Sequence, residues 1–421
     1  MYRTPKRVLV ILAITVIALC CAAQIHAQRH LGLTSLEFSG TSLAIDPLTN
    51  LIYAPMGIGF DASVAVVDGI PGSPTFFFTI RKIDLPNDSF PVRIAVNPDT
   101  KRAYVLDNTL PRLTVLDIAN NTFLQTIPLS GPGFDVAVNS ATNRIYISQP
   151  FGRVVVVNSN TNTVETTIQL TYENANAGRI AINAATNRIY VTDPVGAVNV
   201  IDGSSNTVLA TVRFGFGLEA VSVNPITNRI YVANSIDRVV TVIRGEDNTI
   251  EANVFAGFCR GVAANPRTGR VFVFTPGTGV AMLDGRLTSP TYNTFISRLD
   301  FGIFGWDSAV NTTTNIFYVA NSGFYVFDDP ISPQNGITAL MQWVSSLNLA
   351  HGLANNLDSK LSNAQAALDS VKNNDASTAC NKLDSFINAV QAQQDKGELS
   401  TTAVRELTTE AGLIKSALGC Q

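Results

Sequence analysis

Six ionisable residues hold matching places in a repeated phrase of this 421-residue chain: Arg93, Asp135, Arg179, Glu219, Arg260 and Asp307, with Ser42 at the equivalent place in the first copy. After Ser42 the signs alternate, although Glu219 and Arg260 stand one residue earlier in their copies than the others. Asp135, Glu219 and Asp307 are the kind of oxygen donors that a bound calcium ion or carboxylate acid–base chemistry requires. Two arrangements account for the alternation. Neighbours can pair side to side and cancel their own field. Alternatively, all six can point together into a polar mouth for a small ligand or peptide, with Phe134, Phe216 and Trp306 nearby.

Other chemistry is scarce. No histidine lies between Leu31 and Asp329; His26, His30 and His351 fall outside that stretch. A Ser-His-Asp triad, a histidine-based zinc or copper site, a haem ligand and a histidine general base are therefore removed from it. No GxGxxG, P-loop or CxxC pattern occurs, and no cofactor is expected. The whole chain has 29 basic and 32 acidic residues, a net charge of -3, and so no general attraction for nucleic-acid backbones. Arg102, Arg144, Arg188, Arg229 and Arg270 could form a basic ring, but residues 31–329 carry 19 basic against 24 acidic residues. They read instead as solvated cross-strand charges, and nucleic acid is not expected as a partner.

The elements that must position these residues come from the phrase itself. It occurs seven times, as in VAVNSATNRIYISQ from Val136 and VSVNPITNRIYVAN from Val221. The copies begin at Leu43, Ile94, Val136, Ile180, Val221, Val262 and Ser308. Their spacing averages about 44 residues, the period of a four-stranded propeller blade. Apolar alternation before the turn predicts a half-buried strand. A small residue sits within it every time, as Ala137 or Ala181, because inner strands converging on an axis have little room. Asx, Pro and Thr then supply turn chemistry. Asn at the last turn site, exchanging with Gly269, predicts a backbone at positive φ, and Lys101 there predicts a strained or different turn. Tyr53, Tyr104, Tyr146, Tyr190, Tyr231, Phe272 and Tyr318 recur three residues later and should wedge between blades. The last copy supplies only three strands, so Leu33–Gly40 is expected to add the fourth and close the ring.

With IYVTD at Ile189, IYVAN at Ile230 and the NPxTN turn, the chain resembles the YVTN family of β-propeller repeats over residues 33–329. The resemblance implies an all-β seven-bladed propeller of the kind found in exported bacterial and surface-layer proteins, and implies no particular chemistry. From Asn335 the texture changes to helical spacing, as in Leu353, Leu357, Leu361 and Leu368. SLNLAHGLANNLDSKLSNAQAAL and the segment from Ala379 resemble the FIMAH-type helical module of exported proteins, over residues 337–418. Gly397 with Ser400 and Thr401 predicts a helix stop followed by a cap.

The chain starts MYRTPKR and continues with an uncharged run from Val8 to Ala23, the order of a secretory signal. Residues 1–27 are assigned to it, with cleavage after Ala23 or Ala27 and a retained anchor as the alternative. After removal of Cys20 and Cys21, Cys380 and Cys420 are the natural disulfide pair and Cys259 a buried hydrophobe. The expected protein is an exported, non-catalytic propeller at residues 31–329 that binds a protein, peptide, cell-surface polymer or small ligand outside the cytoplasm. The enzymatic alternative is a metal-dependent, lactonase-like hydrolase using Asp135, Glu219 and Asp307; a nucleic-acid-binding ring is a further one. Quinone chemistry is disfavoured because Trp306 and Trp343 are the only tryptophans.

Overall fold

The computed structural model describes residues 29–35, 42–71, 73–170, 177–193, 195–300, 305, 307–320, 323–328, 333–347, 349–369, 376–394, 396–418 and 420. Residues 1–27, read from the sequence as a signal, residues 36–41 and Trp306 lie outside them. Each copy of the phrase forms an antiparallel hairpin, as where Asp135–Asn139 pairs with Arg144–Gln149. Two further strands complete every blade, and the described residues form seven four-stranded sheets. In six of the seven turns the opening Asx bonds the backbone just ahead, as where Asn183 Oδ1 accepts from the Ala185 amide at 3.1 Å; Asn139 is the exception. This self-contained cap favours Asx at that site.

The seven-bladed all-β ring is present as expected, and its seven interfaces follow one rule. Each conserved-position aromatic is fully buried against the next blade. Tyr104 of blade two packs with Val136 and Ile147 of blade three, and Tyr190 of blade four with Ile230 and Val232 of blade five. The small inner-strand residue has a second reason to be small. It stands directly opposite the aromatic in the register, Ala137 across from Tyr146 and Ser222 across from Tyr231. Directly opposed residues share one face of the sheet, so a larger side chain there would displace the ring.

The last turn residue adopts positive φ in all seven blades, from 49° at Asn187 and Asn228 to 66° at Gly269. Lys101 is no exception at 56°, so its turn is the ordinary one carried by a residue poorly suited to it. Lys101→Gly should relieve the Cβ crowding and stabilise the ring by about 1 kcal/mol, read as an upward shift of the thermal midpoint.

These turn asparagines also stitch the blades together. Asn97 Nδ2 donates to Asn143 Oδ1 at 3.2 Å, Asn139 to Asn187 at 2.8 Å and Asn183 to Asn228 at 2.8 Å. Asn265 donates to Asn315 at 2.9 Å, and Asn311 to Asn50 at 3.0 Å across the closure. The two interfaces without this bond are those whose sequence lacks the groups for it. Asp46 has no amide donor and meets the blade that carries Lys101, while Asn224 meets Gly269, which has no side-chain oxygen.

Blade seven is closed by the N-terminal strand as expected, through Arg29–Ser35; of the segment Leu33–Gly40 read from the sequence, residues 33–35 lie in that strand and residues 36–40 lie outside the described residues. Arg29 pairs with Asp328 and Ser35 with Gly323. The strand begins two residues before Leu31 and includes His30.

Four helices follow: α1 (Pro333–Ser346), α2 (His351–Asp369), α3 (Ala376–Gln394) and α4 (Thr401–Leu418). Leu340, Leu361, Leu383, Phe386 and Leu407 lie in their shared core. Gly397, at φ 70°, ends α3, and Ser400 Oγ accepts from the Ala403 amide at 3.1 Å to cap α4. Cys380 and Cys420 form the expected disulfide, with Cα atoms 6.0 Å apart, closing a separation of 40 residues. Such a closure contributes about 2–4 kcal/mol.

Candidate binding face

Strand direction divides the ring into two unlike faces. Every inner strand runs toward its NPxTN-type turn, so the turns share one face. The loops between second and third strands, and those leading into each inner strand, share the other. The helices occupy the turn face. The Arg267 guanidinium lies 5.7 Å from the centre of the Trp343 ring of α1, and Thr227, Arg267 and Thr268 are buried. Their counterparts Thr49 and Thr142, in blades one and three, remain partly exposed.

Among the described residues no helix covers the loop face, and its centre is charged. Ser42, Asp135, Arg179, Arg260 and Asp307 line an axial cavity of about 180 Å³. Arg93, Arg179, Glu219 and Arg260 line a second one of about 370 Å³, together with Phe134. All seven positions singled out from the repeat, Trp306 apart, thus converge on the axis from seven blades. Glycines shape the neck: a Cβ on Gly305 would come within 2.5 Å of Val319 Cγ1.

Three of the charges pair side to side. Asp135 Oδ1 stands 3.7 Å from Arg93 Nε and 3.8 Å from Arg179, and its Oδ2 accepts from the Ile180 amide at 2.8 Å. Burial raises the Asp135 pKa, against the pull of the two guanidinium groups. Burial, joined by the like charge of Arg179, lowers that of Arg93. Glu219 accepts from Ser235 Oγ at 3.1 Å, and Asp307 from the Ser308 amide at 2.9 Å. The carboxylates are held by these separate partners. Among the described residues, no three His, Cys, Asp or Glu side chains gather as a metal-ligand set.

Around this mouth the loop face exposes Phe60, Phe90, Phe134, Phe151, Phe216, Phe255 and Phe258. Phe60 is 86% exposed and Phe255 71%. Only Phe134 and Phe216 were singled out from the sequence. Phe60, Phe90, Phe151 and Phe258 carried a readable signal, since phenylalanine in a connecting loop has no strand pattern to explain it, whereas Phe255 ends the strand Thr249–Phe255.

The five turn arginines are not solvated as expected. Arg188 does pair across strands with Asp202 at 2.6 Å. Arg102 and Arg144 instead donate to the Ser159 and Gly203 carbonyls of the following blade, at 2.6 and 2.8 Å. Arg229 is buried against Glu246 and Glu251, and Arg270 is also buried. Arg102 and Arg144 therefore tie neighbouring sheets, while Arg188 and Arg229 pair within their own blades. Cys259 is buried, and burial pushes its thiol up to about 11.

No family model matches the chain, and no curated protein matches it. Among solved structures it is similar to a chain described as Kuenenia stuttgartiensis Hydrazine Synthase, at a TM-score of 0.59 and 16% identity. The match covers 73% of this chain and 100% of that one, and it shows a shared propeller fold.

Proposed function

We propose that this chain is an exported, non-catalytic propeller of the YVTN type whose loop face binds a protein or peptide partner, with a FIMAH-like helical module seated on the opposite face. The observation that carries the reading is the asymmetry of the surface. Seven exposed phenylalanines surround a charged mouth on one face, whereas the other carries the helices and, in its third-to-fourth-strand turns, exposes Phe78, Ile70 and Leu287. Exposed aromatic and arginine side chains are the residues that dominate the energetics of protein interfaces. The basic, apolar and small-residue order of residues 1–27 supports export. The disulfide supports an oxidising compartment. Among the described residues no helix is long and apolar enough to cross a membrane.

Selection of a displayed random-peptide library on the immobilised full chain tests the reading. Recovered peptides should lose about tenfold or more in affinity with Phe134→Ser/Phe216→Ser and keep it with the turn-face variant Lys101→Gly. Failure to enrich any peptide, or equal binding to both variants, would sink it.

A further inference from the structure

The two axial cavities are stacked layers with different charge. Arg179 and Arg260 line both. Asp135 and Asp307 line only the smaller, and Arg93 and Glu219 only the larger. Side-chain length explains the sorting of the aspartates: an aspartate keeps its charge close to the inner strand, while an arginine carries its charge several bonds outward. The larger cavity consequently meets three guanidinium groups and one carboxylate, a local excess of positive charge in a chain whose net charge is -3. Asp135 is shared between two of them, one oxygen standing 3.7 Å from Arg93 and 3.8 Å from Arg179, so that a single carboxylate is set against two guanidinium groups. The Arg260 guanidinium lies over the Phe258 ring, 5.4 Å from its centre, and among the described residues no carboxylate comes within 4.0 Å of it.

We infer that this larger cavity is a binding site for an oxyanion, a carboxylate or phosphoryl group, gripped by Arg93, Arg179 and Arg260 from three blades. The planar fork of each guanidinium matches two oxygens of such a group. Phe134 on the same wall suits a ligand whose oxyanion is borne on an apolar stem. The inference deepens the loop-face reading and rests on it for the identity of that face as the working one.

Isothermal titration of the full chain with succinate, with inorganic phosphate and with neutral succinamide, at constant ionic strength, provides the test. One anion should bind per chain and succinamide should not, and the preferred anion distinguishes a carboxylate ligand from a phosphoryl one. Arg260→Gln, the arginine that takes no part in holding Asp135, should weaken binding about tenfold or more. Glu219→Gln removes the opposing carboxylate and should tighten binding on the order of threefold, a gain that a damaged fold cannot mimic. Absence of binding by both anions, unchanged affinity in Arg260→Gln, or weaker binding in Glu219→Gln would overturn the inference. Anion binding without peptide enrichment would keep this site and sink the partner reading; peptide binding without anion binding would do the reverse.

Discussion

Replacing Tyr231 with alanine should destabilise the ring by about 3–5 kcal/mol, the range for deleting a large buried aromatic. Tyr231 belongs to blade five, yet it packs with Val262, Val271, Val273 and Leu283 of blade six. Its ring is fully buried, so truncation leaves a void at a sheet-to-sheet interface that rigid strands on either side cannot collapse to fill. The hydroxyl reaches the neighbouring turn, where a Cβ on Gly285 would come within 2.5 Å of it. Burial keeps that hydroxyl protonated far above its ordinary range. Tyr231→Phe keeps the ring and should cost about 1 kcal/mol or less. Chemical denaturation followed by near-ultraviolet dichroism separates the two. A Tyr231→Ala protein within 1 kcal/mol of wild type would show that the aromatic wedge is not what couples the blades.

Asp284→Ala should cost about 3–5 kcal/mol for a different reason. Asp284 is fully buried, and its Oδ2 accepts from Ser289 at 2.5 Å, Thr291 at 2.6 Å and Arg286 at 2.7 Å. Its Oδ1 takes the Arg286 amide at 3.0 Å. Burial alone would raise its pKa, but these donors together bring it down to about 2. A carboxylate depressed on folding contributes stability above its unfolded value of about 3.8, and that stability is lost as pH falls through about 2. The shift corresponds to about 2 kcal/mol at neutral pH. Wild type should therefore lose this increment between about pH 4 and pH 2, while the pH dependence of Asp284→Asn over that window should be flatter. Urea midpoints across that range decide it, and parallel curves would contradict the argument. Asp68 in blade one holds Ser73 and Thr75 in the same way, at 2.5 and 2.6 Å.

That twin turn marks the boundary of what the chain's letters disclose. The blade count, the wedge aromatics and the positive-φ turn follow from period, alternation and the swap of Asn for Gly, all of them local. The asparagine stitching joins residues 45 to 50 apart, and 261 apart at the closure, so no window on one blade contains both partners. Arg102 and Arg144 read as solvated because their acceptors are carbonyls of the next blade, which have no letter of their own. The convergence of Arg93, Asp135, Arg179, Glu219, Arg260 and Asp307 was legible because a ring turns equal sequence position into equal distance from the axis. Which of them pair was not, since that depends on side-chain reach at ångström scale.

The closing strand carries one more consequence. Arg29 lies beside Asp328 and both stand on the turn side, so the chain enters and leaves the disc through one side only. The two strand ends meet on the side that carries the helices, as a stem meets the back of a dish, and the aromatic side is turned away from that junction.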